Sequence, residues 1–318
     1  MAKLEYAMDS KSIGAHTPWG FDSPSRHQDF QSPLSTRERC GDVKARETYP
    51  LQRGAEEMAR LRMQATALEP DADILFGRIG VQTGWRCLDL ACGIGGVTNL
   101  LSRRVGRTGR VVGLDNDAEK LAAARGWAQA NGLSNVEFVV GDAYRTGLSR
   151  ESFDLVHIRF LFTTVGRDDE LLMEALALTR PGGVVVVQEA DVVTLNCYPP
   201  HAAWDRLQGA ISTAFKRMGG DTFAGRRMLG MLRHAGLLDV RFRPFIVGFT
   251  SEDPMANFMP TTAASMRQAI LEAGLMSEAE LDEAIATCEG HLADPDTVST
   301  SYLVFQVWGR KPRRAGSP

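Results

Sequence analysis

From Arg86 onward, short apolar runs alternate with longer stretches in which apolar residues recur every three or four positions. That alternation marks a parallel α/β sheet. It predicts strands at 86–90, 110–114, 136–140, 153–158 and 184–190, joined by helices at 96–105, 117–131 and 168–179 that are long enough for right-handed crossovers. Ahead of the sheet, Ala55 to Leu68 mixes Ala, Glu, Met, Arg, Leu and Gln and reads as a helix that Glu69-Pro70 ends. A second short helix is expected from Asp71 to Ile79.

The pattern changes after Asp191. Pro199-Pro200 introduces a helix that carries Trp204, Leu207, Ile211, Phe215 and Met218 on one stripe and closes at Gly219-Gly220. A helix near 222–236 then feeds a strand at 239–248. Residues 252–295 return to helical sequence, including Ser277-x-x-Glu280 in the form of a capping box, and read as a helical cap inserted before a last strand at 301–308. Residues 1–48 have no sustained apolar period and are expected to be a mobile N-terminal arm. The remaining divisions are an N-terminal helical segment at 49–83, a ligand-binding core at 84–190, and the later strands with their cap at 191–318.

The chemistry concentrates where the first strand ends, in Asp89-Leu90-Ala91-Cys92-Gly93-Ile94-Gly95-Gly96. Glycines there let the backbone turn sharply and approach a ligand just before a helix begins, as in nucleotide-type pockets. A Gly-x-Gly loop alone does not choose the ligand. Asp89 disfavours one that brings a pyrophosphate, because its carboxylate would repel the phosphate charges, and it favours a ligand with cationic groups. Spacing agrees, since Gly93-x-Gly95 is followed by Thr98 rather than by a third glycine. Asp115, with Asn116 beside it, ends the second strand, where a carboxylate can accept both ribose hydroxyls. Asp142 ends the third, where it can accept from an adenine amino group while Ala143 leaves room for the ring. The strand-end acids outline an S-adenosylmethionine site, and tight binding of a nicotinamide cofactor is not expected.

Composition narrows the class of partner. A chain of 318 residues with 44% hydrophobic and 24% charged residues is ordinary for a globular protein, and a formal net charge of -3 supplies no basic field for nucleic acid or anionic membrane. Its longest aliphatic run, Val184 to Val187, is far too short to span a bilayer, and the N-terminus lacks an apolar signal core. The scattered cysteines Cys40, Cys87, Cys92, Cys197 and Cys288 form no C-x-x-C pair and suit reduced thiols in a cytoplasmic protein. No metal is implied. The expected partner is a small-molecule acceptor, without nucleic acid or membrane insertion, and the reading allows a homodimer.

The segments Leu88–Gly96, Val111–Asp115, Gly141–Ala143, Phe153–Val156 and Arg180–Gly183, in this order over about 100 residues, resemble those of class I S-adenosylmethionine-dependent methyltransferases. Within that class the chain is most similar to the ubiquinone/menaquinone-biosynthesis type, which also supplies many natural-product methyltransferases. The resemblance implies a Rossmann-like, seven-stranded, mostly parallel sheet flanked by helices, whose last strands form an antiparallel pair. It also implies that Asp89, Ala91, Gly93 and Gly95 hold the methionine part, Asp115 the ribose and Asp142 the adenine. Ala91 stands where the family often has glycine.

The acceptor is the open part of this reading. An O- or C-methylation of a small, largely apolar metabolite leads; an N-methyltransferase acting on an amine or peptide, and a protein that binds the cofactor without transferring methyl, remain alternatives. Ligands of open α/β sheets bind at the carboxyl ends of the strands, which directs attention to Glu189 and Asp191 of strand five and to His157 and Arg159 of strand four. Glu189 is the first candidate for a general base or an acceptor-positioning carboxylate, against a carboxylate solvated at the sheet edge or bonding backbone amides of the next loop. His157 is the second, against a structural histidine, and Arg159 could face the cofactor or an acidic substrate, against a plain salt bridge. Tyr144, Tyr198, His201 and Trp204 are expected near the same mouth, although core packing explains Trp204 better, and Tyr49 is placed to close over the methionine part.

Overall fold

A computed structural model describes residues 54–314; the expected arm at 1–48, Cys40 and Tyr49 lie outside them. The chain opens with α1 (Ala55–Ile79), followed by β1 (Arg86–Leu90), α2 (Gly96–Val105), β2 (Arg110–Asp115), α3 (Ala118–Ala130), β3 (Val136–Val140), β4 (Phe153–Arg159), α4 (Asp168–Leu178) and β5 (Thr179–Asp191). Beyond them come β6 (Asn196–Tyr198), α5 (Ala202–Arg217), α6 (Ala224–His234), β7 (Leu238–Phe245), β8 (Gly248–Thr250), α7 (Phe258–Ser265), α8 (Arg267–Glu272), α9 (Glu278–Leu292), β9 (Val298–Thr300) and β10 (Leu303–Arg310). A seven-stranded sheet takes the order β3-β2-β1-β4-β5-β10-β7. Neighbours from β3 to β5 run parallel, whereas β10 is antiparallel to both β5 and β7. The strand order reverses between β1 and β4, so a crevice opens there at the carboxyl ends of the strands.

Alternation along the strands sorts side chains onto two faces. Cys87, Val111, Leu155, Val184 and Val186 pack with Leu75, Phe76 and Ile79 of α1 and Leu101 of α2. Leu88, Leu90, Val112, Val156 and Val187 pack with Leu171 and Leu172 of α4 and Met228 and Leu232 of α6. A third core lies under the helical cap, where Trp204, Leu207, Ile211 and Phe215 of α5 meet Phe258, Met259, Ile270, Leu281 and Cys288. That core reaches the sheet through Ala190, Tyr302 and Val304, which fixes the cap at the ends of β5 and β10. Ser277 and Glu280 close a complete capping box at the start of α9, as their spacing predicts.

Several boundaries depart from the sequence reading. Instead of a helix ending at Glu69-Pro70 and a second one after it, α1 runs unbroken through Pro70. A proline inside a helix costs about 3 kcal/mol. Here the helix is anchored on both sides of that residue: Leu68 is buried in the cap core and Ala72, Leu75 and Phe76 against the sheet, while Glu69 and Asp73 pair with Arg103 and Arg104 of α2. The strand expected at 239–248 is two strands. After Phe245 the chain leaves the large sheet, and β8 joins a three-stranded sheet, order β6-β9-β8, that no apolar run announces. β5 also starts earlier than residue 184, because Phe153 pairs with Thr179 before the register shifts at Leu155.

Candidate active site

The loop after β1 turns through a series of left-handed residues: Ala91 at φ 57°, Gly93 at φ 54° and Gly95 at φ 81°. Glycine is required at Gly95 on two counts, since a Cβ there would also sit 3.2 Å from Ala124 and Phe138. Nothing lies within 4 Å of a Cβ placed on Gly93, so the loop faces open space at that point. The loop is tied to the second strand: Cys92 N donates to Leu114 O at 2.9 Å, and Gly93 N donates to Asp115 Oδ2 at 2.8 Å. Asp115 also accepts from Asp117 N at 3.0 Å and is 8% exposed; its burial raises the carboxyl above the ordinary range.

Asp89 lies beneath this loop with 2% of its surface exposed. One carboxylate oxygen accepts from Thr98 Oγ1 at 2.6 Å, and the other is 2.8 Å from His157 Nδ1. Asn116 and Asp142 are exposed, and Ala143 is partly buried between Asp142 and Tyr144. Asp142 accepts from Tyr144 N at 2.9 Å, which fixes the turn after β3. Arg159, at the end of β4, brings NH2 to 3.7 Å from a Cβ placed on Gly96, and its guanidinium lies 5.7 Å from the Phe160 ring. No hydrogen bond or ion pair of Arg159 is found among the described residues. Asp89, Ala91, Gly93, Gly95, Asp115 and Arg159 therefore converge on one loop at the β1/β4 crevice, with Asn116, Asp142 and Ala143 continuing along the next strand ends.

The two residues first considered for acid–base work sit below that surface. His157 has no exposed area; its Nδ1 faces Asp89 and its Nε2 is 2.9 Å from Gln188 Nε2, with Phe76 edge-on at 5.8 Å. Glu189 is equally buried. It accepts from Phe162 N at 3.0 Å, Ala190 N at 3.3 Å and the Thr163 hydroxyl, so it bonds the loop after β4, and burial raises its carboxyl to about 7. Asp191 shares the α6 side and pairs with Arg226 at 2.5 Å. Of the aromatic candidates, Tyr144 donates to Gly166 O at 2.6 Å, Trp204 is buried in the cap core, and His201 caps α5 and stacks on His291. Tyr198 is 68% exposed. Among the described residues, none of these four makes a hydrogen bond or a ring contact with the glycine loop.

A family model described as a methyltransferase domain matches residues 82–220. The chain is 30% identical over 183 residues to the demethylmenaquinone methyltransferase of Geobacillus stearothermophilus, an alignment that covers 54% of this chain and 78% of that protein. The chain belongs to the methyltransferase family. It is 40% identical over 118 residues to the ubiquinone/menaquinone biosynthesis C-methyltransferase of Pseudomonas aeruginosa, covering 37% of this chain and 46% of that one. A crystallographic structure from Bacillus halodurans, described as a methyltransferase, shares the fold at TM-score 0.52 and 21% identity over 76% of this chain and 99% of its own. The protein is an S-adenosylmethionine-dependent methyltransferase, as the sequence reading expects.

In this methyltransferase the β1/β4 crevice contains groups that the sequence reading missed. Tyr302, just before β10, is buried beside it, its ring edge-on to Phe160 at 5.3 Å and to Phe258 of α7 at 5.5 Å. Gln64 of α1 donates to the Tyr302 hydroxyl at 2.5 Å. Burial raises that phenol well above its ordinary range. Phe160 holds φ at 56°, a strained value for a non-glycine residue immediately after Arg159. Thr98 counts as an absent glycine in the loop pattern, yet it is the donor that holds Asp89. No helix among the described residues is long and apolar enough to cross a membrane, and no cluster of metal-ligating side chains occurs among them.

Proposed function

We propose that this methyltransferase acts in the cytoplasm on a small, largely apolar acceptor, at oxygen or carbon, with the cofactor seated over residues 89–96. The residues fit S-adenosylmethionine on three counts. The space above Gly93 admits a ligand against the backbone, the nearby acids Asp89 and Asp115 suit a cationic group and ribose hydroxyls rather than phosphate, and Arg159 offers a guanidinium near Gly96. When bound, the cofactor supplies an electrophilic methyl group on a sulfonium. Asp89 then faces the ammonium end, Asp115 the ribose, Asp142 with Ala143 the adenine, and Arg159 the carboxylate.

Acceleration in this reading comes from holding the acceptor in line and excluding water rather than from an exposed base. Phe160, Tyr302 and Phe258 form an aromatic wall between the end of β4 and the cap, and its chemistry favours an apolar, planar acceptor. The names of relatives, a demethylmenaquinone methyltransferase and a ubiquinone/menaquinone biosynthesis C-methyltransferase, support the same class of acceptor. Glu189 works here as a positioning residue, since its carboxylate accepts from the Phe162 backbone N–H and the Thr163 hydroxyl and so holds the loop that carries the strained Phe160 beside Arg159. The domain division, with residues 191–318 closing the acceptor side, follows the same reading, as does the homodimer, which light scattering would reveal.

The observation that carries the proposal is the convergence of Asp89, Asp115 and Arg159 on one glycine loop. Asp115→Ala, measured by calorimetry with S-adenosylhomocysteine, should lower affinity by about tenfold or more, since two hydroxyl hydrogen bonds to a charged group are lost. Wild-type protein incubated with labelled S-adenosylmethionine and reduced naphthoquinones should release S-adenosylhomocysteine. Unchanged affinity in Asp115→Ala would remove the ribose assignment, and binding without product from any apolar acceptor would remove the transferase assignment for this acceptor class.

A further inference from the structure

A hydrogen-bond chain crosses the buried α1 side of the sheet and ends on Asp89. At its far end Arg243 of β7 donates to Asp71 Oδ1 of α1 at 2.5 Å. Arg243 NH1 donates to Gln306 Oε1 on β10 at 2.8 Å. Gln306 Nε2 donates to Gln188 Oε1 on β5 at 2.9 Å and to Asp71 O at 3.0 Å. Gln188 Nε2 lies 2.9 Å from His157 Nε2 on β4, and His157 Nδ1 lies 2.8 Å from Asp89 Oδ1 on β1. Gln306, Gln188 and His157 are fully or almost fully buried. Polar groups are costly in such a position unless every one is paired, and a row of aliphatic side chains would pack this face at no such cost.

The two ends force the direction of the whole chain. An arginine can only donate, and an ionised carboxylate can only accept. Gln306 must therefore turn its oxygen to Arg243 and its NH2 to Gln188. Gln188 must turn its oxygen to Gln306, which leaves its NH2 for His157. His157 accepts at Nε2, carries its proton on Nδ1 and donates that proton to Asp89. The ring is uncharged in this arrangement, so the negative charge on Asp89 is not cancelled by its neighbour, and Thr98 fixes the second oxygen.

We propose that Gln188 and Gln306 are positioning residues that lock His157 in its Nδ1–H tautomer, so that Asp89 presents to the ammonium end of the cofactor an aimed carboxylate whose charge the histidine does not cancel. The proposal rests on the reading of Asp89 given above. It makes two glutamines that are remote from the glycine loop responsible for part of the affinity at that loop.

The test separates recognition of the amino-acid end from general loss of structure. S-adenosylhomocysteine carries the ammonium, whereas 5′-methylthioadenosine keeps the adenosyl part without it. Gln188→Met conserves volume and removes the donor to His157; it should weaken S-adenosylhomocysteine roughly fivefold, the scale of one hydrogen bond, with 5′-methylthioadenosine affinity unchanged. Gln188→Glu places an acceptor against Nε2 and should bring a second proton onto the ring, seen in the 15N shifts of His157 as a change from a singly to a doubly protonated imidazole. Parallel weakening of both ligands, or a wild-type His157 with its proton on Nε2, would overturn the proposal. The 15N spectrum of the wild type decides it even where the variants do not fold. Asp89→Asn distinguishes the two levels: unchanged S-adenosylhomocysteine affinity there refutes the role of Asp89, whereas a loss in Asp89→Asn with none in Gln188→Met refutes only the chain.

Discussion

Replacing Glu189 by glutamine sets two opposing effects against each other, and pH decides which prevails. The carboxylate accepts from Thr163, Ala190 N and Phe162 N and has no exposed surface. Burial, the larger influence, disfavours its charge and raises the carboxyl from the ordinary 4.5 to about 7, while the hydrogen bonds from Thr163, Ala190 and Phe162 pull the other way. In the unfolded chain the proton leaves near 4.5 and in the folded protein near 7, so between those values the folded state holds more protons and stability falls as pH rises. At ~1.4 kcal/mol for each tenfold change in proton affinity, the full loss is about 3 kcal/mol. Glutamine has no proton to lose, but it must turn an NH2 toward either Phe162 N or the Thr163 and Ala190 donors, which costs about 1–3 kcal/mol. Near pH 5, Glu189→Gln should therefore be less stable than wild type by that amount, and near pH 8.5 the difference should vanish or reverse. Urea unfolding followed by circular dichroism across this range measures it. Parallel stability curves for the two proteins would show that burial does not raise this carboxyl and would refute the reasoning.

Two further substitutions address the loop and the β2 strand that it packs on. Ala91 holds φ at 57°, where a Cβ costs roughly 1 kcal/mol, so Ala91→Gly should raise the urea midpoint by about that much free energy; a lower midpoint would show that the alanine methyl contributes packing which outweighs the strain. Gly113→Ala would place a methyl 2.9 Å from Cys92 Sγ and from Phe138, and should cost about 1–3 kcal/mol in thermal unfolding while weakening S-adenosylhomocysteine through displacement of Cys92. Retention of both stability and affinity would mean that Phe138 yields instead.

What the sequence made legible divides along a physical line. Asp89, Asp115 and Asp142 could be placed because a strand ends where its apolar run ends, and three such ends in order define one edge of a parallel sheet. His157 and Glu189 occupy comparable strand ends, yet what covers each face is decided by remote segments. α1 supplies Phe76 and the Asp71 end of the polar chain on one side, and the loop at Phe162–Thr163 closes over Glu189 on the other. Period-two alternation tells which residues share a face but not whether that face is roofed. Tyr302 and Gln64 meet across a sequence separation of 238 residues, and neither belongs to a local pattern that would announce it. Pro70 misled for the related reason that a local rule was outweighed by burial on both sides of it. Thr98 shows the converse: its position in the loop pattern was visible, but its meaning depends on Asp89, nine residues earlier, facing it across the turn. The same dependence makes Gln188 and Gln306 unreadable singly. Each is an ordinary amide in a strand until the register of five neighbouring strands lines them up between an arginine that must give protons and a carboxylate that must take them.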